Sequence, residues 1–168
     1  MFKNQFTLKG EIKVSTVADS NKNVVLIDAR GPRYSAGITT TVLALALITE
    51  SNYLIGFQFA VFLSAVLFGL RRSIYGIVYR NLIQPRLSGP VPSENEAAPR
   101  FAQLIGALFA FAALLGGVSG NTPLFLTATS FALAATFLNA VFGFCLGCQM
   151  YLILARIRAR FSKKISLN

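Results

Sequence analysis

The chain has 168 residues, enough for one domain; 54% are hydrophobic and only 13% are charged. Soluble domains carry about 25% charged residues, so half that fraction, with a mean hydropathy of +0.59, points to a membrane protein. The net charge of +10 comes from three basic clusters flanking apolar runs, a pattern of membrane topology rather than of a phosphate-tracking groove, so no nucleic acid partner is expected.

Absences narrow the chemistry. There is no histidine, which removes imidazole acid/base catalysis and any His-ligated haem or metal. Tryptophan is also missing. No phosphate-binding Walker loop or dinucleotide-binding glycine fingerprint is present, and no cofactor is expected. The N-terminal stretch lacks the apolar core of a signal peptide.

Residues 1–34 read as a cytoplasmic polar arm, with Lys3, Lys9, Lys13, Lys22, Arg30 and Arg33 against Glu11, Asp19 and Asp28. Lys9 to Val14 and Asn23 to Ile27 have short β-like character, but the segment is taken as a tail without a fold of its own. Residues 35–87 form a first hairpin with an interfacial helix. Ser35 to Thr49 is a slightly short span, Glu50-Ser-Asn52 a polar turn, and Tyr53 to Leu70 a second span stopped by Arg71-Arg72. From Ser73 to Leu87, Ile74, Ile77, Val78 and Leu82 recur at helical spacing with Arg80 and Arg86 opposite, which predicts an amphipathic helix in the interface.

Residues 88–99 are a turn-rich cytoplasmic linker. Residues 100–160 hold the second hairpin. Phe101 to Val118 is the third span, Ser119-Gly-Asn-Thr122 its turn, and Pro123 opens an apolar run without a charge to Ala155. As one helix that run would exceed roughly 45 Å at 1.5 Å per residue, well over the hydrocarbon core. A break is therefore expected at Gly143 to Gly147, with the fourth span ending around Phe144 and a second amphipathic helix following. Residues 161–168 complete a basic tail that begins at Arg156.

Six Lys/Arg lie in the arm, five in the central loop and five in the tail, and none in the two short turns. The positive-inside rule then predicts four spans in a cytoplasmic membrane with both termini cytoplasmic. The halves also look duplicated. Pro32-Arg-Tyr34 precedes the first span as Pro99-Arg-Phe101 precedes the third, and a Phe-Gly pair ends the second and the fourth. The halves would be parallel repeats about an axis along the membrane normal.

Both cysteines of the chain, Cys145 and Cys148, lie at the expected break. Cysteines at i and i+3 face one side of a helix and can close a disulfide at its first turn. A helix start and neighbouring cations favour the nucleophilic thiolate, and the repeat would bring Arg71 and Arg72 to the level of the thiols. Facing the cytoplasm, the pair would rest reduced. Three readings stand side by side. The pair is a redox or sulfur-transfer dithiol, with Cys145 attacking and Cys148 resolving. It is a metal site, though two thiolates fall short of four zinc ligands unless a dimer supplies the rest or the ion is copper(I). Or the cysteines are small apolar residues in a tight crossing. Gly143 and Gly147 form a Gly-x-x-x-Gly pair suited to close helix packing, and Asn139 suits an interhelical hydrogen bond.

Asp28-Ala-Arg-Gly-Pro-Arg33, Gly69-Leu-Arg-Arg-Ser-Ile-Tyr-Gly76, Pro99-Arg-Phe-Ala102 and Leu138-Asn-Ala-Val-Phe-Gly-Phe-Cys-Leu-Gly-Cys148 resemble the signature blocks of the domain-of-unknown-function family 4395. These are small bacterial integral membrane proteins. The resemblance spans about residues 28–155. It implies membrane location, importance of Cys145 and Cys148, and association with thioredoxin-like and sulfurtransferase proteins.

The expected fold is an all-α membrane protein of four transmembrane helices in two tandem hairpins, each followed by a short interfacial helix. The expected function is thiol-disulfide or persulfide exchange with a cytoplasmic thioredoxin-fold or rhodanese-like partner. The competing expectations are a non-enzymatic membrane subunit or scaffold, alone or in an oligomer, and a small-solute channel.

Overall fold

The computed structural model describes residues 25–87 and 93–165; the β-like stretch at Lys9 to Val14 lies outside them. The chain begins with a short strand, β1 (Leu26–Asp28), followed by helix α1 (Arg30–Thr49) and helix α2 (Asn52–Phe68). A tight turn at Leu70–Arg72 leads into α3 (Ile74–Val78), which widens into a π-helical turn at Tyr79–Ile83. The second half repeats the order with β2 (Ser93–Asn95), α4 (Ala97–Val118), α5 (Thr122–Phe142) and α6 (Leu146–Ile165). The protein is thus mostly helical, as expected, but the arm and the linker each contribute a strand that was read as tail or turn.

Those strands explain how the helices begin. β1 and β2 pair antiparallel, with Leu26 opposite Asn95, Ile27 opposite Glu94 and Asp28 opposite Ser93. Each ends in a side chain that turns the chain into a helix. The Asp28 carboxylate accepts the Arg30 N–H at 2.9 Å, and the Asn95 carbonyl accepts the Ala97 N–H at 2.9 Å. Such local side-chain bonds satisfy donors that a helix start leaves open. Pro32 and Pro99 follow at the same place in the first turn, where a missing N–H costs nothing. This ladder is symmetric about its central Ile27–Glu94 pair, so the duplication seen in the sequence is a two-fold in the structure.

The helices obey the same two-fold. α2 packs on α4 and α1 on α5, each pair being the image of the other. Leu43 and Ala46 of α1, Ile55 of α2, Ala113 of α4, and Phe125, Ala128 and Ala132 of α5 form the main core. Alanines at these contacts let the backbones approach closely. Glu50, in a left-handed conformation at φ 48°, closes α1, and Asn121 caps α5 by accepting the Leu124 N–H at 3.1 Å. The two hairpin turns meet where Gly117 abuts the Asn52 side chain. The strands, Arg30, Arg33, Arg71, Arg72 and Arg100, and the cysteines lie at the opposite end.

α4 and α5 are long and apolar enough to cross a membrane, whereas α2 is apolar but has only 17 residues. α1 runs for 20 residues and includes Arg30 and Arg33 in its first turn. α3 also differs from its expected orientation. Its buried residues are Tyr75 and Tyr79, four apart, while Ile74, Ile77 and Leu82 face outward. Hydrogen bonds set this choice. The Tyr79 hydroxyl donates to Asp28 at 2.7 Å, and the Tyr75 hydroxyl donates to the fully buried Gln58 at 3.0 Å. Gln58 in turn donates to Thr39 at 3.3 Å. Burial, together with the Asp28 carboxylate, pushes the Tyr79 phenol up to about 12 against the opposing pull of Arg30.

Candidate functional site

The apolar run that follows Pro123 does break. α5 ends at Gly143, whose φ of 66° is the left-handed region open to glycine. The Gly143 N–H donates to the Asn139 carbonyl at 3.1 Å and the Phe144 N–H to the Leu138 carbonyl at 3.3 Å. Both close the last turn of the helix. Only Cys145 separates Phe144 from α6, and Cys145 serves as its cap. Its carbonyl accepts the Gln149 N–H at 3.1 Å, and its sulfur accepts the Cys148 N–H at 3.2 Å. The two sulfurs are joined as a disulfide, with Cα atoms 5.2 Å apart. The i, i+3 spacing predicts a pair able to close a disulfide at the first turn of a helix, and the two cysteines stand in that position.

Gly147 has a separate task. A Cβ at that position would come within 2.6 Å of both Cα and Cβ of Ala102, so α6 seats its first turn directly on α4. The Phe101 and Tyr151 rings, 5.8 Å apart, continue the contact. Since Gly143 lies in the break and Gly147 in the next helix, the pair forms no continuous Gly-x-x-x-Gly face.

The half-buried cysteines open onto a cleft of about 390 Å³. Its wall includes Arg33, Glu94, Gln103, Asn139 and Gly143. The Arg33 guanidinium lies against Gly143 and makes no hydrogen bond or ion pair among the described residues. Burial pushes the Glu94 carboxyl up. Asn139 lines the cleft, and among the described residues its side chain makes no hydrogen bond to another helix.

Arg71 and Arg72, expected beside the thiols, are not part of this cleft. Both are exposed on the turn after α2. Arg71 lines a neighbouring cavity of about 260 Å³ with Asp28, Tyr75, Tyr79 and Arg80. Among the described residues, the cation that lines the cysteine cleft is Arg33. The motif Pro32-Arg-Tyr34 carried that signal, because its repeat partner Pro99-Arg-Phe101 marks an arginine at the start of each hairpin. Glu94 carried none, lying in a segment that read as linker.

The two-fold shows what is special about the cysteine half. Arg100, the image of Arg33, donates to the Val66 carbonyl at 2.8 Å and to the Leu67 carbonyl at 3.3 Å at the end of α2. Beside it, Glu96 accepts the Leu70 N–H at 2.6 Å. In the other half the residue corresponding to Glu96 is Ala29, which lines the cysteine cleft and offers no carboxylate. One half is closed by its own acid and the other is open.

Fold and site together define a helical protein of two related hairpins, with a cysteine pair at the start of the helix that follows the second. Residues 27–156 match the family described as Domain of unknown function (DUF4395), and the chain belongs to that family. No curated protein and no solved structure matches the chain.

Proposed function

We propose that the protein is a four-span membrane protein that exchanges thiols, or passes persulfide sulfur, through Cys145 and Cys148 at the cytoplasmic face. The observation that carries this reading is the hydrogen bond from the Cys148 N–H to the Cys145 sulfur at the first turn of α6. Once the disulfide is opened, that donor and the positive end of the helix favour a thiolate at Cys145. Arg33 adds a positive charge to the same cleft. Cys145 is then the attacking thiol and Cys148 the resolving one. A thioredoxin-fold or rhodanese-like protein in the cytoplasm is the proposed partner.

Membrane placement draws support from the outward faces of the helices. Ile48 on α1, Leu67 and Phe68 on α2, Leu108 on α4 and Phe131 on α5 are all exposed. Apolar surface of that extent is rare on soluble monomers. The basic end of the bundle, opposite the two uncharged-by-Lys/Arg turns, supports cytoplasmic termini. The second reading, a non-enzymatic subunit or scaffold, draws on the contact between Gly147 and Ala102, which needs no thiol chemistry.

The test is thiol labelling of the reduced protein in inverted membrane vesicles across a pH series. Rapid labelling of Cys145 from the cytoplasmic side at neutral pH is expected. Cysteines that label only at high pH, or only from the opposite side, would sink the proposal. A Cys145→Ser/Cys148→Ser protein that retains every cellular phenotype would favour the scaffold.

A further inference from the structure

We infer that the cysteine cleft accepts a small disulfide or thiol that carries a carboxylate, and that Arg33 is the residue that recognises it. This rests on the exchange reading and names the substrate class of the same site. The argument comes from the internal two-fold. In the first hairpin's end, a carboxylate is already in place: Glu96 caps the Leu70 N–H at 2.6 Å beside Gly69, while Arg100 is engaged with the α2 carbonyls. In the second hairpin's end, the corresponding arginine lies against Gly143 with no polar partner among the described residues, and Ala29 supplies no acid. The cleft that results, about 390 Å³, holds both sulfurs. It suits a small molecule.

The donors of a guanidinium form a fork that matches the two oxygens of a carboxylate. Neutral donors at Gln103, Asn139 and Gln149 complete the wall. Glu94 lines the same cleft with the opposite charge, so Arg33 has to outweigh it for an anionic ligand to bind.

The step balances as thiol-disulfide exchange. In the reduced protein, the Cys145 thiolate attacks one sulfur of the disulfide RSSR, forming a Cys145–SR bond and releasing RS⁻, which takes up a proton. The Cys148 thiolate then attacks the Cys145 sulfur, forming the intramolecular disulfide seen in the structure and releasing the second RS⁻. Two protein thiols are oxidised, and one RSSR is reduced to two RSH. The reverse sequence, from the disulfide with two RSH, has the same intermediates.

The experiment uses the full-length protein, purified in detergent and reduced. It is reacted with dithiodipropionate, which carries two carboxylates, with neutral 2-hydroxyethyl disulfide, and with dicationic cystamine. Remaining thiols are counted by alkylation and mass. Dithiodipropionate should oxidise the pair about fivefold faster than the neutral disulfide, the size of a partly exposed ion pair, with cystamine slowest. In Arg33→Gln the ratio of anionic to neutral rates should fall to about one. It should persist in Arg86→Gln, which removes the same charge outside the cleft. Ala29→Glu, which installs the acid of the other half, should also abolish the ratio. A wild-type ratio near one, or a ratio that survives both Arg33→Gln and Ala29→Glu, overturns the inference. If none of the three disulfides oxidises the wild-type pair, the exchange reading itself fails.

Discussion

The guanidinium of Arg33, in the first turn of α1, lies against Gly143 at the end of α5, the point where the chain turns from α5 to the cysteine pair. The first and last quarters of the described chain thus meet at the site. Gly143 is constrained twice, by a φ of 66° and by the lack of room for a Cβ beneath the arginine. Gly143→Ala should therefore cost about 1–2 kcal/mol from the left-handed backbone alone and push Arg33 aside. Thermal unfolding in detergent reads the first effect. A slower alkylation of reduced Cys145 reads the second, and an unchanged rate would show that Arg33 does not act on the sulfur.

Gly147→Ala provides a contrast. Its backbone is ordinary helix, so the whole effect is the collision with Ala102. Overpacking of this kind costs about 1–3 kcal/mol, and the strain should separate α6 from α4. Protease cleavage between Phe144 and α6 should become faster, with α1 to α5 still intact. If cleavage is unchanged, the α4–α6 contact is not what holds the helix.

The helix order, the hairpin turns and the break at Gly143 were legible in the sequence because each leaves a local mark: hydropathy, a polar turn or a glycine pair. The ladder was not. Leu26–Asp28 and Ser93–Asn95 are three residues each, too short for a periodicity, and each is stabilised by a partner far away in the chain. The site was half legible for the same reason. Two cysteines three apart announce themselves, and the repeat placed an arginine near them, but it offered Arg71 and Arg72 because they adjoin the matching Phe-Gly pair. Arg33 reaches the cysteine cleft through the packing of α1 on α5; the Pro-Arg-aromatic repeat marked the residue but not its place in the fold. Tyr75 and Tyr79 make the same point, since hydrogen bonds to Gln58 and Asp28 outweighed the more apolar face of α3.

The two cysteines should differ in reactivity. The Cys145 sulfur accepts an N–H from the turn that follows it. Single thiols isolate the effect: Cys145 in the Cys148→Ser protein should alkylate about tenfold faster at neutral pH than Cys148 in Cys145→Ser, the equivalent of roughly 1.4 kcal/mol. Equal rates would remove the basis for assigning Cys145 as the attacking thiol.

Arg33 and Glu94 line the same cleft with opposite charge, so their neutral variants should act in opposite directions. Arg33→Gln should slow alkylation of Cys145, and Glu94→Gln should speed it, each by a few-fold. Glu94 also sets a pH dependence of stability. Burial raises its carboxyl above the ordinary 4.5, so the folded protein holds this proton more tightly than the unfolded chain. Its favourable contribution is complete below that ordinary value and is lost as pH rises through the raised native value. Glu94→Gln should flatten this loss in thermal unfolding measured across the acid range and be more stable than wild type at neutral pH. A parallel pair of pH profiles would contradict the sign.

The closed half of the two-fold should prove structural where the open half is functional. Glu96 caps the Leu70 N–H at 2.6 Å, and Arg100 binds two carbonyls at the end of α2. Glu96→Ala leaves a donor without its acceptor beside the buried Leu70, a loss of about 1–3 kcal/mol. Arg100→Gln should likewise destabilise the protein, whereas Arg33→Gln, with no such bonds to lose, should unfold close to wild type. Thermal unfolding of the three variants, set beside their Cys145 alkylation rates, separates the roles. Glu96→Ala and Arg100→Gln should move the unfolding temperature and spare the thiol, and Arg33→Gln should do the reverse. If Arg33→Gln instead unfolds as readily as Arg100→Gln, then Arg33 is a second cap and the two halves are alike in purpose as well as in form.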